Sequence, residues 1–175
     1  QLSSLKRVDA YSLSREEWNQ LAESLRAADS ISGIVILATC HRVEFFGLSN
    51  QVNRACEQIM DLYPESVSID RVSMENDFTI YRGRQVVRRL MEIAGGLDSV
   101  AFGENEVLGQ VRRARLEALD RGTSEPLLDQ LFERACITGK RIRSETNLGR
   151  GTTSLSEMAM KVLEEKVDPC DEKRM

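Results

Sequence analysis

The sequence predicts an α+β fold: a small β-sheet with flanking helices, followed by a helical bundle and the start of a long connecting helix. In the first half, the apolar, β-branched run "GIVILA" (33–38) is typical of a buried strand, and "VEFFGLS" (43–49) favours a second one. From Gly83 onward, apolar residues recur at helical spacing almost continuously. The first half is therefore small α+β and the second half is helical.

The first helix begins with a capping box, because the Ser14 hydroxyl can accept from a free backbone amide and Glu17, three residues on, can accept from the Ser14 amide. The apolar residues that follow at helical spacing are Trp18, Leu21, Ala22 and Leu25. They predict an amphipathic helix that ends near Ala28.

A second helix is predicted after the two strands. Its apolar residues are Val52, Ala55, Cys56, Ile59 and Met60. The segment "YPESVSIDRVSMENDFT" (63–79) contains a proline and many polar residues without a sustained period. We therefore expect a loop there, with one short strand at most.

The helical part is predicted to contain four helices. The first has a stripe of Val86, Val87, Leu90, Met91 and Ala94 that stops at Gly95-Gly96. The second has a stripe of Val107, Leu108, Val111 and Ala114. Pro126 opens the third, which runs through Leu128, Leu131, Phe132 and Ala135. The last is predicted from about Leu155 to Lys166.

Composition is that of an ordinary globular protein of 175 residues, with 41% hydrophobic and 30% charged residues. No apolar run approaches ~20 residues, so we expect no membrane span, and the first residues, "QLSSLKRVDA", lack the apolar stretch that is typical of a signal peptide. The four cysteines are widely spaced: Cys40, Cys56, Cys136 and Cys170. They form no CxxC pair, which argues against a zinc site or a disulfide framework and favours a reducing compartment such as the cytoplasm.

Basic residues are unevenly distributed although the net charge is −4. The segments "YRGRQVVRRL", "QVRRARLEALDR" and "GKRIRSE" are locally cationic, whereas "EEKVDPCDE" is acidic. A basic face of this kind can meet a polyanion such as tRNA. For any single cluster, the pattern favours the alternative of a solvated, arginine-rich helix face.

Cys40 directly follows the first predicted strand, where side chains tend to be accessible and functional. If extended backbone continues to Glu44, the period of two places Cys40, Arg42 and Glu44 on one face and His41 on the other. A guanidinium there would favour the thiolate and offer an anchor for a carboxylate. The alternative is a buried, inert cysteine, because free cysteine is among the most buried residue types.

A glycine-rich stretch, "AGGLDSVAFGENEVLGQVRRA" (94–114), is the second candidate site. Four glycines surround short polar side chains, so that backbone amides and polar groups can approach a small polar ligand. The alternative is a capped connection between two helices.

Three segments together resemble the catalytic N-terminal domain of glutamyl-tRNA reductase: "LATCHRVEFF", "GGLDSVAFGENEVLGQVRRA" and "GKRIRSETNLG". The resemblance runs from about Ser14 to Lys166, in the family's order and spacing. It implies that the chain acts in the first step of tetrapyrrole (5-aminolevulinate, porphyrin) synthesis from glutamate. It also implies that glutamyl-tRNA(Glu) is the substrate, that NADPH is the cofactor, and that the full-length protein is a homodimer with the downstream aminomutase as a further partner.

The resemblance also implies roles for residues of this chain. Cys40 would attack the ester that links glutamate to its tRNA and form a thioester, which a hydride from NADPH would reduce to glutamate-1-semialdehyde. Arg42 would bind the carboxylate of the glutamate. The other implied substrate-binding residues are Thr39, His41, Ser99, Glu104, Asn105, Glu106 and Gln110. We add Glu44 to them because it is predicted to share a face with Arg42.

Four departures from the family pattern stand out. His41 replaces an asparagine, and Asn105-Glu106 replaces Pro-Gln. Arg89 stands where the family has a histidine thought to assist proton transfer, so the resemblance implies that Arg89 is a catalytic residue together with Cys40, although an arginine cannot exchange protons near neutrality. His41 could take over that role only if the backbone turns sharply after Cys40. The fourth departure is that no strand is followed by G-x-G-x-x-G, since "GRGTTS" (149–154) is only a partial match.

We therefore expect a piece of a longer enzyme, with residues 1–150 as the catalytic domain and 151–175 as the start of a connecting helix toward an NADPH-binding domain beyond Met175. Such a piece could form or hydrolyse the thioester but could not reduce it. The expected compartment is the cytoplasm, or the plastid stroma in a plant. Two alternatives are open: a catalytically altered relative that binds tRNA or a protein as a regulatory module, and a helical scaffold in which Cys40 is buried.

Overall fold

The computed structural model describes residues 10–98 and 105–146. Its elements, in chain order, are α1 (Arg15–Ala27), β1 (Gly33–Ala38), β2 (Val43–Leu48), α2 (Val52–Val67), α3 (Arg71–Asp77), α4 (Arg84–Gly95), α5 (Asn105–Asp120) and α6 (Pro126–Glu145). Within these residues the predicted α+β fold is confirmed. The helix predicted at 155–166 and the connecting helix lie outside the described residues. None of the described helices is long and apolar enough to cross a bilayer.

The two strands form an antiparallel hairpin, paired from Gly33 with Leu48 to Ala38 with Val43. Helices cover both faces of this hairpin. On one face Val35, Leu37 and Phe46 join a core with α4, α5 and α6, and on the other Ile34 joins a core with α1, α2 and α3. Burial from both sides is the reason why β1 is apolar at every position.

The predicted start of α1 is confirmed. The Glu17 amide donates to Ser14 Oγ at 3.3 Å, and the Ser14 amide donates to the Glu17 carboxylate at 2.7 Å. This exchange satisfies two of the amides that a helix leaves free at its first turn. The pKa of the Glu17 carboxyl lies below its usual value, because the side chain of Ser14 and then its backbone amide hydrogen-bond to the ionised carboxylate.

The loop predicted for 63–79 is wrong, because α2 continues to Val67 and α3 follows at once. Tyr63 is fully buried, and it anchors α2 through Pro64 by packing on aromatic rings of α1, β2 and the chain after α3: Trp18, Phe45 and Phe78. The Asp70 carboxylate accepts from the Ser73 amide at 2.9 Å and caps α3. Tertiary packing thus outweighs the backbone hydrogen bond that Pro64 cannot make.

The helix predicted before Gly95-Gly96 is confirmed as α4, which ends at Gly96 with φ of 77°. One residue of its predicted stripe is wrong: Val87 is 43% exposed, while Ile93 is fully buried. The core-facing line runs instead through Leu90, Ile93 and Ala94, since α4 packs on α6 along that line. The predicted stripes of α5 and α6 are confirmed, and Pro126 is the first residue of α6.

Candidate functional site

Residues 39–42 form the turn of the hairpin, and the Thr39 side chain holds it. The amides of His41 and Arg42 both donate to Thr39 Oγ1 at 3.2 Å, and the Thr39 amide donates to the Arg42 carbonyl at 2.8 Å. Cys40 lies in this turn with its thiol exposed. The condition for placing Cys40 on one face with Arg42 and Glu44, extended backbone from Cys40 to Glu44, is therefore not met, since the pairing of Ala38 with Val43 requires the chain to reverse within four residues.

This turn changes how the predicted residues relate to one another. Arg42 and Glu44 do share one face, with Nη1 and Oε1 3.9 Å apart. Cys40 and His41 belong to the turn, so the sharp reversal that His41 would need after Cys40 is present. The scaffold alternative with a buried Cys40 is wrong, because this thiol is exposed, whereas those of Cys56 and Cys136 are half-buried.

Beside the turn lies a charge cluster, which we define as Arg42, Glu44, Arg89 and Asp98. Arg89 binds Glu44 with two nitrogens, Nη2 at 2.7 Å and Nε at 3.2 Å from the carboxylate oxygens. Asp98 Oδ2 lies 2.9 Å from Arg42 Nη1 and 2.6 Å from Arg89 Nη1. Arg42 Nη2 also donates to the backbone carbonyl of Asp98. Two guanidinium groups thus converge on one carboxylate oxygen.

Three elements bring the charge cluster together. Glu44 lies two residues before the buried Phe46, so the period of two turns it toward the helical core and α4. Arg89 lies next to the buried Leu90 on α4 and reaches across to that strand. Asp98 follows the left-handed Gly96 cap, which turns the chain back toward the hairpin.

The cluster keeps Arg89 charged. Burial lowers the pKa of Arg89, but the hydrogen bonds and charge of Glu44, and then the charge of Asp98, raise it to a net value above the usual range. The guanidinium also lies 5.8 Å from the centre of the Tyr81 ring, within reach of a cation–π contact. Arg89 is therefore a permanent cation of this site and not a proton donor.

The structure brings together part of the predicted site. Thr39, Cys40 and His41 form the turn, and Arg42, Glu44 and Arg89 belong to the charge cluster. Glu106 is exposed and Gln110 half-buried on α5. Ser99, Glu104 and the side chain of Asn105 lie outside the described residues. Their predicted roles stay predictions.

Asp98 belongs to the charge cluster, but the sequence indicates it only as part of the glycine-rich stretch. The sequence signal for a functional role of Asp98 is its position directly before Ser99, a predicted substrate-binding residue. Its partners Arg42 and Arg89 are 56 and nine residues away along the chain, and no periodicity links the three.

Cys136 provides a contrast with Cys40. Cys136 lies on α6 and packs against the helical core. Burial raises the pKa of its thiol. The nearby cations Arg115, Lys140 and Arg112 offset only part of this effect. A thiol in such surroundings is less nucleophilic than an accessible one.

Fold and site together define an α+β domain that presents an exposed thiol on a hairpin turn beside a pair of guanidinium groups. The family model described as "Glutamyl-tRNAGlu reductase, N-terminal domain" matches residues 2–146. The chain therefore belongs to this family, as its three sequence segments predict.

Named relatives agree with this membership. The chain is 31% identical over 152 residues to a glutamyl-tRNA reductase of Prochlorococcus marinus (strain MIT 9215), covering 85% of this chain and 35% of the relative. It is 35% identical over 146 residues to that of Cenarchaeum symbiosum (strain A), covering 83% and 34%. The solved glutamyl-tRNA reductase from Methanopyrus kandleri superposes with a TM-score of 0.70 at 31% identity, covering 92% of this chain and 36% of the other. The chain spans about a third of the length of these relatives.

Proposed function

We propose that this chain is the part of an NADPH-dependent glutamyl-tRNA reductase that receives the glutamyl group from glutamyl-tRNA(Glu) on Cys40. The overall reaction would give glutamate-1-semialdehyde, in the first step of tetrapyrrole synthesis. Family membership supports the substrate class. The observation that carries the proposal is the exposed Cys40, two residues from an Arg42 whose guanidinium already holds a carboxylate, that of Asp98.

The acyl transfer follows from thiol chemistry. The Cys40 thiolate attacks the carbonyl carbon of the aminoacyl ester, the C–S bond forms, and the bond to the ribose oxygen breaks. The ribose oxygen leaves with a proton, and the glutamyl group remains as a thioester. An aminoacyl ester is already activated, so that placement is the main requirement. Arg42 would provide this placement by binding the side-chain carboxylate of the glutamyl group.

The described residues do not fit NADPH. Their sheet is an antiparallel hairpin, without the strand–helix–strand crossover and glycine-rich turn that seat dinucleotide phosphates. In the proposed reaction NADPH supplies the hydride that reduces the thioester.

The test is a single-turnover experiment with the 175-residue chain and glutamyl-tRNA carrying labelled glutamate. We expect labelled protein whose label is released by hydroxylamine, as for a thioester, and mapped by peptide analysis to Cys40. Cys40→Ser should abolish the label. Cys56→Ser, at a half-buried cysteine of α2, is the matched control and should retain it. Label on another residue, or none, would refute the proposal.

A second candidate is a regulatory module that binds glutamyl-tRNA or a protein without acyl transfer. Arg89 favours it, since a guanidinium held by Glu44 and Asp98 cannot hand a proton to a leaving group. The same experiment separates the two candidates when tRNA binding is measured in parallel. Retained binding of glutamyl-tRNA without any thioester would support the regulatory module.

A further inference from the structure

The two carboxylates of the charge cluster are not equivalent. Glu44 is 16% exposed, lies within β2, and is bound by two nitrogens of Arg89. Asp98 is 45% exposed and lies in the turn after α4. Water therefore reaches the Asp98 carboxylate more readily than that of Glu44, so that the contacts of Asp98 with the two guanidinium groups are the more easily exchanged. Glu44 is therefore the fixed counterion of the cluster, and Asp98 is the replaceable one.

The charges balance only while Asp98 is in place. Arg42 and Arg89 carry two positive charges, and Glu44 and Asp98 carry two negative ones. If the Asp98 side chain rotates away, the two guanidinium groups and Glu44 retain one net positive charge. One carboxylate restores the balance, whereas a neutral amide of the same shape does not.

We propose that Arg42 and Arg89 together form a carboxylate-binding seat, that Asp98 occupies it as an internal ligand, and that the carboxylate of the substrate displaces Asp98. The identity of that substrate as a glutamyl group rests on the proposed function above. The new elements are Arg89 as a second guanidinium that determines specificity and Asp98 as an internal competitor.

Geometry supports the exchange. The same Asp98 Oδ2 accepts from both guanidinium groups, so that a single incoming oxygen can replace both contacts. Arg42 also donates to the Asp98 backbone carbonyl, a contact that does not depend on the carboxylate. Arg42 is thus held in position when the side chain of Asp98 leaves. The Glu44 contact holds Arg89 in the same way.

The consequence is that the site selects a carboxylate over a neutral amide. A ligand that enters the seat must offer at least as good an acceptor as Asp98, which a carboxylate does and an amide does not. In the absence of a ligand, the negative charge of Asp98 also offsets the repulsion between the two guanidinium groups. The cost is a lower apparent affinity for the substrate, because the internal ligand competes with it.

The test is a titration of the ¹⁵N-labelled chain with glutaramate, which carries one carboxylate on a five-carbon chain, observed at the Nε–H signals of Arg42 and Arg89. The neutral diamide glutaramide is the control ligand. We expect saturable shifts of both signals with glutaramate only, and Asp98→Asn should lower the dissociation constant about fivefold. Equal or weaker binding by Asp98→Asn, or no saturable shift in either protein, overturns the proposal.

The contribution of Arg89 is tested with Arg89→Gln, which should weaken glutaramate binding about tenfold. Arg88→Gln changes the exposed neighbour on α4 and should leave binding unchanged. Because Arg89→Gln also removes the partner of Glu44, the backbone amide spectrum reports whether the fold persists. If Arg89→Gln is unfolded, the Asp98→Asn titration still decides. Unchanged binding by a folded Arg89→Gln would show that Arg42 acts alone.

These titrations involve no acyl transfer, so their outcome is independent of the thioester experiment. A thioester on Cys40 together with unimproved binding by Asp98→Asn refutes the internal ligand and keeps the proposed function. Tighter binding by Asp98→Asn without any thioester keeps the carboxylate seat and refutes the transfer to Cys40.

Discussion

Arg89 on α4 and Glu44 on β2 are joined by a two-nitrogen ion pair, with Nη2 2.7 Å from Oε1 and Nε 3.2 Å from both carboxylate oxygens. The pair links the helical core to the strand that leads out of the Cys40 turn. Sequence resemblance places a histidine at position 89. In this chain the position instead carries a fixed charge that helps to hold helix and hairpin together.

Glu44→Gln should lower the free energy of unfolding by about 1–2 kcal/mol, because the largely buried Arg89 guanidinium loses its main counterion. The matched control is Glu92→Gln, which removes the half-buried α4 carboxylate paired with the exposed Arg88 and should cost less than about 0.5 kcal/mol. Urea unfolding at pH 7 measures both. Equal effects of the two substitutions would show that the Arg89–Glu44 pair is no stronger than a surface pair.

Thr39→Val should destabilise the hairpin turn by about 1–2 kcal/mol, because the amides of His41 and Arg42 lose the hydroxyl that accepts from both. Thr39→Ser retains the acceptor and should stay close to the parent protein. Urea unfolding gives the stabilities. In the single-turnover assay Thr39→Val should also slow labelling of Cys40. A Thr39→Val protein as stable as the parent contradicts this account of the turn.

Gly139→Ala should destabilise the contact between α4 and α6 by about 1–3 kcal/mol. An added Cβ at this position would overlap the Ala94 carbonyl oxygen, so that the helices must move apart. Gly109→Ala on α5 is the control: no described atom lies within 4 Å of its added Cβ, and alanine favours helix by about 1 kcal/mol. Thermal unfolding should therefore shift in opposite directions for the two variants.

Asp129 should contribute to the loss of stability in acid. A two-nitrogen hydrogen bond from Arg115, at 2.6 and 3.0 Å, holds the pKa of this carboxyl below its usual value of 3.8. A pKa lowered by folding adds stability that is present above the unfolded-state pKa and is lost as pH falls through the folded-state pKa. Asp129→Asn should thus reduce stability at pH 7 and flatten its dependence on pH below about 4.

The control for Asp129 is Asp120→Asn, which removes an exposed carboxylate at the end of α5. It should change the acid limb of the stability curve less than Asp129→Asn does, because water screens the interactions of an exposed side chain. Urea unfolding midpoints between pH 2.5 and pH 7 provide the comparison. An unaltered acid limb in Asp129→Asn would show that the Arg115 contact does not contribute.

Much of the fold was predictable because it depends on residues close together in the chain. The Ser14–Glu17 capping box, the apolar run of β1, the Gly96 cap and Pro126 at the start of α6 each act over a few residues, and each is confirmed. The failure at 63–79 has the same explanation. Local signals at Pro64 indicate a break, whereas burial of Tyr63 against distant aromatic rings keeps the helix intact.

The sequence by itself determined the family, the strand pair, the order of the described helices other than α3, and the candidacy of Cys40 and Arg42. Only the tertiary structure decided that Cys40 lies in a turn and that Arg42, Glu44, Arg89 and Asp98 form one cluster. The reason is physical: short-range patterns specify backbone conformation, but charge pairing between residues 45 and 56 positions apart depends on how the packed core brings strand and helix together.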